Sequence, residues 1–183
     1  MSLLSTSSSA AVLAHVPTSA GFVAGFIHPF AGADHLLAMM AIGWLAARLP
    51  GRLAWLPPAG FVGASLLGGL LAFRMPGLAW MEWGIAASVL LLGLAVMAAA
   101  SLKQRDLLVV ATGLALTGIA HGYAHVNEAN HAASQFFVGF MVATALLHGL
   151  GYLGGRGLAR RWQWLGPAMG GAMSLFGVTL LLA

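Results

Sequence analysis

The chain has 183 residues, of which 60% are hydrophobic and only 7% charged, with seven histidines and no cysteine. Soluble domains of this size carry about a quarter charged residues, so an ordinary globular protein is excluded. The formal charge of +4 does not point to nucleic acid, because the basic residues are scattered through short loops and form no stripe.

Mean hydropathy of +0.92 and repeated apolar runs of about 20 residues predict an all-α, polytopic membrane protein. A β-barrel would alternate polar and apolar residues in segments of about 10, which the chain does not do. The lack of cysteine excludes thiolate metal sites, disulfides and cysteine nucleophiles.

Residues 1–18, rich in Ser and Ala, are expected to be an N-terminal leader or disordered segment. Val12-Leu13-Ala14 before His15 resembles a signal-peptidase site, but no basic stretch precedes it. A cleaved signal and a plain disordered start both stay open. Residues 19–183 read as a single transmembrane helical domain of six spans.

The first span covers residues 19–49. Unbroken, it would be roughly 45 Å long against a hydrocarbon core of about 30 Å. Pro29 and Gly32 disturb helical geometry, which predicts a break between His28 and Ala33. The remaining spans are expected at residues 55–73, 80–101, 107–125, 132–153 and 164–183. Arg48, Arg52, Lys103, Arg105, Arg156, Arg160 and Arg161 fall in alternate loops, leaving Arg74 alone on the other side. Positive charge stays inside, so both termini are expected outside, in a bacterial-type cytoplasmic membrane. Trp55, Trp80, Trp83, Trp162 and Trp164 sit near span ends, as an interfacial aromatic belt would.

Two polar clusters interrupt this apolar chain. The first is His28, Asp34 and His35. The second is His121 and His125, spaced to share one helix face, followed by Glu128. Polar groups in hydrocarbon are costly and are usually functional or paired. The first span runs inward and the fourth outward, so both clusters lie at similar depth in the outer half. His148, on the inward-running fifth span, lies deeper. Imidazole nitrogen and carboxylate oxygen without thiolate suit divalent nickel, cobalt, zinc or copper rather than magnesium or calcium. Broken helices line cavities in transporters. Met39, one helical turn after His35, is a weaker candidate whose expected role is packing. The small-residue runs, such as Gly63 to Gly69 and Gly149 to Gly155, suit close helix packing.

The stretch from His28-Pro-Phe-Ala-Gly-Ala-Asp34-His35 to Met39 resembles the first signature of the HupE/UreJ family of nickel/cobalt permeases. His121-Gly-Tyr-Ala-His125, with Glu128 following, resembles the second. The resemblance covers the whole chain. It implies a non-enzymatic secondary permease that takes up nickel or cobalt without ATP, since no nucleotide-binding motif is present. No prosthetic group is expected, only the transported ion. His28, Asp34, His35, His121 and His125 would form the site, with Glu128 and His148 as ligands on the way in or out. Asp34 would either ligate directly or orient a ligating histidine. The expected partners are the lipid bilayer and the metal ion, with no nucleic acid, and an oligomer is possible.

Two other classes compete. Histidines on facing helices, His35 and His121 for example, could hold a haem for electron transfer. An intramembrane metalloprotease would need a glutamate between paired histidines, and none lies between His121 and His125.

Overall fold

The structure, a computed structural model, is all-helical and describes residues 21–78, 80–125 and 133–183. The expected leader, His15 and Glu128 lie outside the described residues. In chain order the helices are α1 (Phe22–Ala31), α2 (Ala33–Ala46), α3 (Leu56–Arg74, entered through a 3-10 turn at Gly51–Trp55), α4 (Trp80–Ala98), α5 (Gln104–Ala115), α6 (Gly118–Ala124), α7 (Ala133–Arg161) and α8 (Leu165–Leu182). Five stretches among the described residues are long and apolar enough to cross a membrane: Gly51–Arg74, Trp80–Ala98, Gln104–Ala124, Ser134–Ala159 and Leu165–Leu182. α1 and α2, of 10 and 14 residues, are each shorter.

The break in the first apolar stretch falls at Gly32 alone, a narrower position than the six residues expected from His28 to Ala33. α1 continues through Pro29, which is buried inside it. A proline this close to a helix C-terminus removes only one backbone bond, so the chain stays helical for two more residues. Gly32 then adopts an extended conformation (φ −101°, ψ 117°), and its carbonyl accepts the first α2 bond from Leu36 N–H at 3.0 Å.

A second interruption was not expected. Between α5 and α6 the backbone tightens, with Thr117 N–H bonding Leu114 at 3.0 Å and Ala120 N–H bonding Thr117 at 3.0 Å. These bonds reach back three residues instead of four, as in a 3-10 turn. α7 also runs eight residues past the expected end of its span at Leu153, so that Arg156 lies on the helix.

The helices pack chiefly as α4 on α8, α3 on α6, and α7 against both α1 and α2. Glycines set these crossings. A Cβ on Gly25 would strike the Phe136 carbonyl, one on Gly43 the His148 carbonyl, and one on Gly122 the Ser65 carbonyl. Backbones approach this closely only where side chains are absent. Gly63 and Gly149, by contrast, face open space.

The buried core joins Met39, Ile42 and Leu45 of α2, Phe61 of α3, Val89 and Leu92 of α4, and Phe136, Phe140 and Leu147 of α7. Met39 is therefore a packing residue, as expected. Leu66, Leu67, Leu70 and Phe73 of α3, and Leu146, Leu150 and Leu153 of α7, are exposed. An outer surface of that kind belongs against lipid. The five tryptophans at helix ends are exposed as well.

Candidate metal centre

Both histidine pairs sit at interruptions, where the backbone turns side chains inward. His28 is on the last turn of α1 and His35 on the first turn of α2, either side of Gly32. His121 and His125 are on α6 and its C-terminal residue, just past the tightened turn. Their rings converge. Centroid distances are 4.2 Å for His28–His125, 4.6 Å for His35–His125, 4.7 Å for His35–His121 and 5.6 Å for His28–His35. One nitrogen each from His28, His35 and His125 lies within 4.8 Å of the others. Three imidazole nitrogens bound to one ion at about 2.1 Å lie about 3 to 4 Å apart, so small ring rotations close the set. His28 is half-buried, whereas His35, His121 and His125 are buried.

Two hydrogen bonds fix which nitrogens face the interior. Asp34 Oδ1 accepts from the His35 backbone N–H at 2.9 Å and pairs with His35 Nδ1 at 2.9 Å. A carboxylate only accepts, so Nδ1 carries a proton, and in the neutral ring the lone pair is on Nε2. Gly32 makes room for this pair: a Cβ there would sit 2.7 Å from Asp34 Oδ1 and 3.2 Å from His35 Nδ1. Across the cluster, Ser88 Oγ of α4 donates to the Ile85 carbonyl at 2.6 Å and lies 2.8 Å from His121 Nε2. The hydroxyl has one proton, already given to Ile85. His121 Nε2 must therefore be the donor, which leaves the lone pair on Nδ1.

His35 Nε2 and His121 Nδ1 are buried and have no hydrogen-bond partner among the described residues. An unmade hydrogen bond at a buried acceptor costs about 1–3 kcal/mol. Two such acceptors from facing helices, 4.7 Å apart at their ring centres, are what a cation would satisfy. Asp34 reaches this centre through His35. His148 is not among the three grouped nitrogens, and Phe61 packs against both it and His121, with ring centroids 5.4 and 5.5 Å away.

Ser88 carries no motif, and an isolated serine in an apolar span gives no sequence signal of its partner. Tyr123 was missed for the same reason: its hydroxyl donates to the Met75 carbonyl and accepts from Leu78 N–H at 2.9 Å. It ties α6 to the turn after α3 from the face opposite the histidines. Ser88→Ala should leave His121 Nε2–H unpaired at a cost of about 1–3 kcal/mol. Metal affinity is expected to fall less than in His121→Ala, and equilibrium nickel binding to the two purified variants measures this.

Apolar helices with lipid-facing leucines, around a cluster of four imidazoles and one carboxylate, define a polytopic membrane protein with a candidate site for a divalent metal. A family model described as HupE / UreJ protein matches residues 2–180. The chain is also 35% identical over 173 residues to Protein HupE of Rhizobium leguminosarum bv. viciae, covering 92% of this chain and 89% of that protein. It belongs to the HupE/UreJ family, whose members are associated with nickel and cobalt transport. No solved structure matches it.

Proposed function

We propose that this protein is a secondary permease that imports divalent nickel or cobalt across a bacterial cytoplasmic membrane without ATP. The observation that carries the reading is the convergence of His28, His35, His121 and His125 from three helices, with a buried, unpartnered nitrogen on each of His35 and His121. In this reading α1 and α2 together make the first of six crossings, both termini lie outside, and residues 19–183 act as one transmembrane domain. His28, His35, His121 and His125 bind the ion, Asp34 orients His35, and Glu128 and His148 serve as ligands on the way in or out.

The half-buried His28 meets the ion first. Imidazole exchanges its ligands without forming a thiolate-like trap, so the site can release what it captures. The haem alternative is not favoured. His35 and His121, the pair it would use, have ring centroids 4.7 Å apart, which leaves no slot for a macrocycle between them.

Radiolabelled nickel and cobalt uptake into metal-starved cells, with cross-competition and a proton uncoupler, tests the proposal. Uptake should saturate, each ion should compete with the other, and His28→Ala and His35→Ala should remove it. Unchanged accumulation in both histidine variants would sink the site assignment.

A further inference from the structure

Arg48, just past the end of α2, and Arg156, near the end of α7, line one cavity of about 510 Å³. Among the described residues its wall holds one more polar side chain, Gln163, and is otherwise alanine and glycine. Arg48 is half-buried, and neither arginine has an ion-pair partner among the described residues. Asp34 and Glu82 are on the first turns of α2 and α4, at the other ends of those helices, and Asp106 opens α5 beside Lys103 and Arg105. A second cavity, of about 450 Å³, lies between α3 and α7 and is walled almost wholly by apolar side chains, with Trp55 on its rim. The two meet on α7. Ala145, Gly149 and Tyr152 of the apolar cavity and Arg156 and Ala159 of the cationic one recur every three or four residues, which makes them one stripe of the helix. The Arg156 guanidinium lies over the Tyr152 ring, 6.0 Å from its centroid. An apolar groove therefore runs into a pocket of two uncompensated cations.

We propose that these two cavities bind one anionic glycerophospholipid of the surrounding bilayer, its phosphate between Arg48 and Arg156 and an acyl chain along the α7 stripe. The assignment needs the chain to lie in a membrane and does not depend on what it transports. A guanidinium fork donates two parallel hydrogen bonds to phosphate oxygens, and the Gln163 amide is a further donor. The alanine and glycine wall leaves the space between these groups to the headgroup. From Gly149 to Arg156 α7 rises roughly 10 Å, so the groove lies in the hydrocarbon when the guanidinium groups sit at headgroup level. Trp55 is exposed, and tryptophan favours that same boundary. Basic pockets between transmembrane helices bind anionic headgroups in this way. A soluble anion would need only the arginines, whereas cations and apolar groove together select an amphiphile. The cationic wall takes residues from the end of α2, the turn after α4, α7 and the turn before α8. A phosphate held there fastens the α2–α7 pair to the α4–α8 pair.

The test uses the purified full chain in detergent, titrated with phosphatidylglycerol, phosphatidylcholine or inorganic phosphate and read by native mass spectrometry and melting temperature. One phosphatidylglycerol per chain should bind at least ten-fold more tightly than phosphatidylcholine and raise the melting temperature. The double variant Arg48→Gln/Arg156→Gln should lose that preference, whereas Arg74→Gln, at the far end of α3, should keep it. Gly149→Leu fills the apolar groove without strain, since nothing lies within 4 Å of a Cβ added there. It should melt at or above the wild-type temperature without lipid, yet bind phosphatidylglycerol at least five-fold more weakly. Equal binding of the two lipids to wild type, or phosphatidylglycerol binding within two-fold of wild type in the arginine double variant, overturns the headgroup site. Binding within two-fold of wild type in Gly149→Leu overturns the acyl groove. Inorganic phosphate that binds as tightly as phosphatidylglycerol would make the pocket a soluble-anion site and overturn the lipid assignment.

Discussion

Asp34→Ala is expected to weaken nickel uptake 10- to 100-fold in apparent affinity, the range found when the carboxylate behind a metal-binding histidine is removed. The cause is the bond from His35 Nδ1 to Asp34 Oδ1 at 2.9 Å. Without it, the imidazole loses both the acceptor that fixes its tautomer and the negative charge that raises the basicity of Nε2. Asp34→Asn should fall between wild type and Asp34→Ala, because the amide oxygen still accepts but without charge assistance.

The double variant Asp34→Ala/His35→Ala separates two roles for the carboxylate. A residue that acts only through His35 has nothing left to do once His35 is gone, so the double variant should match His35→Ala alone. A direct ligand would add its own loss on top. Such non-additivity between residues in contact is what double-mutant cycles resolve. Uptake measured over a nickel concentration series in all four proteins gives the answer.

The residues of this candidate centre were legible in the sequence because they are expensive where they stand. His28, Asp34, His35, His121 and His125 are conspicuous against an apolar background, and the charge asymmetry of the loops predicts the two clusters at one depth. In the structure the rings of the four histidines converge, with centroids 4.2 to 5.6 Å apart. The break was legible as a stretch but not as a residue. The expected break ran from His28 to Ala33, on Pro29 and Gly32 together, whereas the chain turns at Gly32, where a side chain would collide with Asp34 and His35.

Ser88, Tyr123 and Phe61 were illegible for a different reason. Helices apolar all round carry no amphipathic stripe that tells which face turns inward. Their rotation is set by where partner backbones can approach, and that is decided by glycines on two helices at once. The interruption at Leu116 and Thr117 was missed although Thr117 and Gly118 stand at it, because the span is long enough and otherwise apolar enough to read as one helix.

Gly122→Val tests how strictly that backbone approach holds the centre. Gly122 lies between His121 and Tyr123, and a Cβ there would overlap the backbone of Ser65, its carbonyl first. No rotamer change relieves a clash with backbone, so α6 must move away from α3. Overpacking of this kind typically costs about 1–3 kcal/mol, and here the shift displaces His121 from Ser88 and His125 from His28 together. The expected result is loss of nickel uptake with a lowered melting temperature in detergent, and Gly122→Ala should show a milder form of both.

Ser65→Gly should fail to rescue either variant, because the obstructing atoms are not in the serine side chain. Gly113→Ala on α5 is the matched control, since nothing lies within 4 Å of its added Cβ. Alanine is the better helix former by roughly 0.5–1 kcal/mol, so this control should melt at or above the wild-type temperature and transport normally. If Gly122→Val also transported normally, the α3–α6 crossing would be dispensable to the centre, and the histidines of α6 would have to be held by Tyr123 and Ser88 alone.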